Sequence, residues 1–203
     1  MSLVADIHEK HVFGRRISRL CELLGGLIPE GSRVLDVGCG DGRLSRLLMD
    51  LGKGIQIEGI DVLLRPETHI PVREFDGTTI PHEEGSFDLV MFVDVLHHTE
   101  DPMVLLKEAD RVARKGVVIK DHLRDGFLAG PTLRFMDWVG NARHGVALPY
   151  NYWSSERWSE AFDELHWQKV EWIDRLSLYP PPASWFFDRG LHYVARFGRE
   201  GES

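Results

Sequence analysis

The stretch Arg33–Leu44, RVLDVGCGDGRL, decides the fold: a short hydrophobic run breaks into glycines at alternate positions, Gly38, Gly40 and Gly42, and then opens a helical pattern. Glycine permits positive φ and lets a ligand approach the backbone with no Cβ in the way. The helix that follows offers unpaired N–H groups to an anion. A tight turn needs one or two glycines, so three at alternate positions point to something lying against the chain. Downstream, IQIEGID reads as a second strand, VREFD as a short third and FDLVMFVDVL as a fourth, apolar almost throughout as a strand covered on both faces should be. DPMVLLKEADRVAR is a helix with Asp101 as N-cap and Pro102 as its first residue, and GVVIKDH is a fifth strand. Upstream, Ile17, Leu20, Leu24, Leu27 and Ile28 keep the spacing of an amphipathic helix that weakens at Gly25 and Gly26 and stops near Pro29. Strands alternating with helices predict an α/β fold, an open parallel sheet with helices on both faces.

From Leu123 to Trp153 that rhythm is lost, and aromatics mix with Asp137, Asn141, Arg143 and His144. SSERWSEAFDEL restores a helix with a Ser cap, and WQKVEWIDRLSLY and LHYVARFG read as two closing strands joined through the rigid loop YPPPASWFF. Composition bounds the function. The net charge of −8 argues against a broad nucleic-acid footprint, which leans on clustered Lys and Arg. No window approaches the length of a membrane span, the N-terminus does not read as secretory, and two cysteines suit a reducing compartment, so a cytoplasmic location is expected.

The glycines do not complete G-x-G-x-x-G in either register, since the third position falls on Arg43 or Ser45, and no Gly-Lys-Ser/Thr follows. The loop lacks the fittings for a pyrophosphate or a triphosphate. VLDVGCGDG resembles the first motif of the Rossmann-like S-adenosylmethionine-dependent methyltransferases. FDGTTIPHEEGSFDLVMFVDVLHHTEDPMVLLKEADRVARKGVVI is similar to the corresponding block of the small-molecule branch that includes ubiquinone and menaquinone biosynthesis methyltransferases. The resemblance implies a three-layer sandwich around a seven-stranded, mostly parallel sheet of order 3-2-1-4-5-7-6 with the last strand antiparallel. It also implies S-adenosyl-L-methionine as cofactor.

Carried over by position, the resemblance implies that Asp36 holds the glycine turn and that Gly38, Cys39 and Gly40 pass under the methionine part of the cofactor. Asp61, with Val62 after it, stands at the ribose hydroxyls, Asp76 and Gly77 meet the adenine, and Val93 and Asp94 flank the methionine portion. Four acids close four successive strands, where an ordinary role would be to cap the next helix. The implied chemistry is an in-line displacement at a sulfonium methyl, for which a protein chiefly supplies geometry and desolvation. A base is needed only where the acceptor must lose a proton, and the candidates are His97, His98, Asp121, His122 and His144, with Asp137, Tyr150 and Tyr152 nearby in the irregular stretch. No ligand pair sits at the i, i+4 spacing of zinc enzymes, so no metal is expected.

The domain reading is a single methyltransferase domain over residues 1–203. Within it, residues 1–30 form an N-terminal helix or lid, where His11, Phe13 and Arg16 stand either at a surface helix start, the reading favoured here, or against the cofactor, and residues 123–153 form an inserted acceptor-binding segment whose aromatics suit a partly apolar wall. The expected function is methyl transfer to a small-molecule or lipid-like acceptor. The alternatives are an RNA or protein methyltransferase, or a non-catalytic S-adenosylmethionine-binding protein.

Overall fold

The structure is a computed structural model that describes residues 3–141 and 149–199. The chain runs α1 (Leu3–Leu27), β1 (Arg33–Val37), α2 (Arg43–Met49), β2 (Gln56–Asp61), β3 (Val72–Glu74), β4 (Phe87–Val93), a 3-10 turn (Leu96–His98), α3 (Pro102–Val112), β5 (Ala113–His122), α4 (Ala129–Asn141), α5 (Ser155–Glu164), β6 (Trp167–Ile173), α6 (Ser184–Phe187) and β7 (His192–Arg199). The seven strands form one sheet of order β3-β2-β1-β4-β5-β7-β6. β1 to β5 pair in parallel, and β7 lies antiparallel between β5 and β6. This is the Rossmann-like sheet that the resemblance implied, and its glycine turn stands at the carboxyl edge.

The central strands alternate between two apolar layers. Leu89, Met91 and Val118 face the layer of Leu20, Leu24 and Leu27 from α1, whereas Val90, Phe92 and Ile119 face Leu105, Leu106 and Ala109 from α3 and Trp158 from α5. Caps end the helices as the sequence indicates. Asp101 Oδ1 accepts from Met103 N–H at 2.9 Å, and Ser154 Oγ accepts from Arg157 N–H at 3.2 Å.

Two elements differ from the sequence reading. α1 begins well upstream of Ile17 and stays helical through Gly25 and Gly26. At Gly25 the end of the Leu51 side chain packs directly on the helix backbone, its Cδ1 2.5 Å from where a Cβ would stand. The irregular stretch contains α4, whose buried stripe is Ala129, Leu133 and Asp137 at spacing four. Its large aromatics, Phe135 and Trp138, face solvent, so the helical period is carried by a small residue, a leucine and an acid.

The same alternation carries charge at the sheet's carboxyl edge. Lys120 is fully buried on the α1 side and pairs with Asp94, which also takes Arg16 from α1. Asp94 sits at φ 58 after β4, its N–H donating to Lys120 O at 2.9 Å. Burial would raise the Asp94 carboxyl, but Lys120 and Arg16 hold it well below the usual carboxylate range. Removing one partner of such a pair leaves an uncompensated buried charge. Asp94→Asn is expected to lower stability by roughly 3 kcal/mol in urea unfolding, and adding Lys120→Met to recover much of the loss.

Candidate functional site

The three glycines of the turn after β1 serve different ends. At Gly38 (φ 75) a Cβ would stand 2.5 Å from Val95, and at Gly42 (φ 73) 2.4 Å from Ile70, so both are bare because neighbouring segments press on them. Gly40, at φ 59, has open space where its Cβ would be. It is the position of the turn at which a ligand meets no side chain of the glycine's own. The Gly38 and Cys39 N–H groups donate to Ile60 O, and Gly40 N–H donates to Asp61 Oδ2 at 2.8 Å. Asp61 Oδ1 accepts from Leu63 N–H at 2.9 Å, so the carboxylate is fixed beside the turn.

Asp36 lies beneath, accepting from Ser45 Oγ–H at 2.5 Å. Burial pushes its pKa up to about 7, with Ser45 opposing and Asp61 adding. Cys39, a free thiol, is pushed up by burial and the surrounding acids. Val62 is exposed and packs near Gly77, where a Cβ would stand 3.1 Å from Val62 Cγ1. Asp76 Oδ1 accepts from both Thr78 and Thr79 N–H, the local turn role open to such an acid. Val93 is half-buried at the end of β4 beside Asp94.

Val95 joins this turn to a second polar cluster on the other side of the sheet. The carboxylate of Asp121, fully buried at the end of β5, accepts from Leu96 N–H at 3.1 Å and His122 N–H at 2.7 Å, and meets His97 Nδ1 at 2.6 Å. It thereby fixes the 3-10 turn and the orientation of the His97 ring. His97 Nε2 faces Asp137 Oδ2 of α4 at 3.4 Å, and Tyr152 donates its hydroxyl to that same oxygen. Burial alone would lower His97, but Asp121 and Asp137 outweigh it and raise its pKa to about 10. Burial, with Lys120 and His97 close by, takes His122 down to about 4. His98 is half-buried against His97, ring centroids 4.0 Å apart, and burial lowers it too.

Tyr152 opens this cluster toward a cleft of about 230 Å³ lined by Arg124, Gly130, Pro131, Arg134 and Tyr150. The fold thus brings together His97, His98, Asp121 and His122 from the sequence candidates and adds Asp137 and Tyr152 from the irregular stretch. His144 lies outside the described residues, as do the side chains of His11 and Phe13. Lys120 and His192 went unmarked by the sequence reading. The one signal for Lys120 was a charge within the apolar run of β5.

Residues 8–171 match the family described as a methyltransferase domain, and the chain belongs to that family. It is 30% identical over 152 residues to the 2-methyl-6-phytyl-1,4-hydroquinone methyltransferase of Synechocystis sp., covering 69% of this chain and 42% of that protein. It is 28% identical over 118 residues to the ubiquinone biosynthesis O-methyltransferase of Sodalis glossinidius, covering 52% of this chain and 46% of that protein. The chain therefore spans under half the length of these curated relatives. A putative methyltransferase of Bacillus halodurans has the same fold, with a TM-score of 0.59 at 18% identity over 89% of this chain and 95% of that one. Membership of the family implies S-adenosylmethionine as cofactor. The open face of Gly40 beside the fixed Asp61 carboxylate fits it, since a carboxylate accepts hydroxyl donors and the bare backbone admits an adjacent chain.

Asp36 links this site to pH. Folded, it keeps its proton up to about pH 7, whereas unfolded it loses it near the usual carboxylate value of about 3.9. Between those values the folded chain holds the extra proton, so the contribution of Asp36 to stability is greatest at low pH and falls as pH rises through that window. Urea midpoints taken across about pH 4 to 7 should show this decline in the native chain and a flatter profile in Asp36→Asn.

Proposed function

We propose that this chain transfers a methyl group from S-adenosylmethionine to a small-molecule or lipid-like acceptor. The observation that carries the reading is the Gly40 opening beside Asp61 at the carboxyl edge, where α/β sheets take their ligands. In this reading Gly38, Cys39 and Gly40 underlie the methionine portion, Asp61 accepts from the ribose hydroxyls, and exposed Val62 with Gly77 forms the apolar edge of the adenine site. Asp76 uses Oδ1 in its own turn and turns its other oxygen to the adenine amine. Asp36 supports the turn through Ser45, and Val93 and Asp94 border the methionine end, with Asp94 also tying α1 across it through Arg16.

When bound, the cofactor supplies an electrophilic methyl on a sulfonium, a centre that needs approach geometry and desolvation more than activation. The chain's own groups provide those. The acceptor lies in the cleft between Tyr150 and Tyr152, whose rings suit an aromatic or lipid-like body, with Arg124 and Arg134 at the rim. His97 and Asp121 are buried and in this reading fix the wall of the cleft without themselves touching the acceptor. Residues 123–153 accordingly serve as the acceptor-binding segment of one domain. The quinone-type substrates in the names of the relatives support an acceptor of this kind, and the acidic net charge supports it over RNA.

Calorimetric titration of the full chain with S-adenosylmethionine tests the reading. Asp61→Ala should weaken binding by about 1–3 kcal/mol, and unchanged affinity would remove the cofactor from this edge. Gly40→Ala is a sharper probe. It should cost the fold only about 1–2 kcal/mol, the penalty of a left-handed alanine, yet reduce cofactor affinity by a larger factor than Gly31→Ala, which is equally left-handed and open but remote from the site.

A further inference from the structure

Two buried ring nitrogens on the sheet's α3 side lack a hydrogen-bond partner among the described residues, His97 Nε2 and His98 Nδ1. They belong to one group. His97, His98 and Asp137 each present a donor atom, all within 4.8 Å of one another. The 3.4 Å between His97 Nε2 and Asp137 Oδ2 is long for an N–H···O hydrogen bond. It matches the edge of about 3.3 Å that a tetrahedron of bonds of about 2.0–2.1 Å would have.

The surrounding groups are arranged as a metal site needs them. His97 Nδ1 is bound to Asp121 at 2.6 Å, and Asp121 is itself held by two backbone N–H groups. Without an ion the ring carries protons on both nitrogens, and an ion binding at Nε2 would displace that proton to water, leaving a donor atom whose direction the Nδ1–Asp121 bond fixes. Tyr152 donates to the Asp137 carboxylate in the same supporting way and lines the acceptor cleft. Two imidazoles and one carboxylate leave coordination positions open, as in sites that bind a substrate oxygen.

We propose that His97 Nε2, His98 Nδ1 and the Asp137 carboxylate bind a divalent first-row transition ion, of the zinc or cobalt type, whose open positions hold an oxygen of the acceptor. The sequence hides this site because its ligands are neighbours on a 3-10 turn and an acid from a distant helix, with no i, i+4 pair. The inference deepens the acceptor side of the proposed function and leaves cofactor binding to other residues. An ion there would orient the acceptor hydroxyl and lower its pKa, so that its proton passes to water of the cleft rather than to a dedicated protein base.

The test is titration of the full-length, chelator-treated chain with Zn²⁺ by calorimetry and with Co²⁺ by visible absorption. One ion per chain with Co²⁺ ligand-field bands is expected, with at least tenfold weaker binding in both His98→Gln and Asp137→Asn. Asp121→Asn should weaken it by about 10–100-fold through the His97 ring. Circular dichroism confirms that each variant is folded. S-adenosylmethionine is titrated into the same samples, so failure of the cofactor reading shows there alone. Absence of binding at millimolar metal, or full affinity kept by either His98→Gln or Asp137→Asn, overturns the site.

Discussion

Lys120 is a fully buried ammonium, and its pairing with Asp94 is the constraint on which the carboxyl edge of the sheet depends. Burial alone lowers the pKa of Lys120, so the charge persists only because the carboxylate after β4 reaches it. To do so Asp94 takes a left-handed backbone conformation, which turns the chain sharply out of β4 and into the 3-10 turn. That turn delivers Val95 onto Gly38 and His97 onto Asp121. Arg16 then brings α1 to the same carboxylate, with Tyr179 beside it. The helix before β1, the glycine turn and the histidine cluster are therefore positioned through one acid.

The parts legible in the sequence were those in which local chemistry and tertiary role agree. Strands β1, β4 and β5 are apolar because both faces are covered, and Asp101 and Ser154 cap helices wherever the fold places them. The glycine turn was legible as a site but not in its division of labour: spacing alone cannot tell Gly38 and Gly42, pressed by Val95 and Ile70, from Gly40, which faces open space. α4 was illegible because hydrophobic periodicity assumes that large apolar residues point inward. Here Trp138 and Phe135 point out while Asp137 points in, to meet His97 and Tyr152. A partner so far along the chain leaves no periodic trace.

The two polar clusters differ in what they ask of the protein. The one around Asp94 is closed: Arg16 and Lys120 both reach the carboxylate, and its work is to join elements. The one around His97 has acids at both ends of a single ring and borders a cleft through Tyr152. His122 links them at the edge of the sheet, its Nδ1 3.3 Å from Asp121 Oδ1 and 3.8 Å from Asp94 Oδ1, so the charge of each cluster acts on the other.

β5 binds these halves together in a way that depends on arithmetic rather than on contacts. Lys120 and Asp121 are consecutive, so the pleat sends the ammonium to the α1 side and the carboxylate to the α3 side. Gly116, where a Cβ would stand 2.0 Å from Phe197 O, pins the strand against β7. Sliding β5 by one residue would, according to its direction, set Asp121 before Asp94 or Lys120 before His97. The end of the strand thus acts as a parity lock: Lys120 and Asp121 carry opposite signs on opposite faces, and a frame of pairing that satisfies one face necessarily satisfies the other.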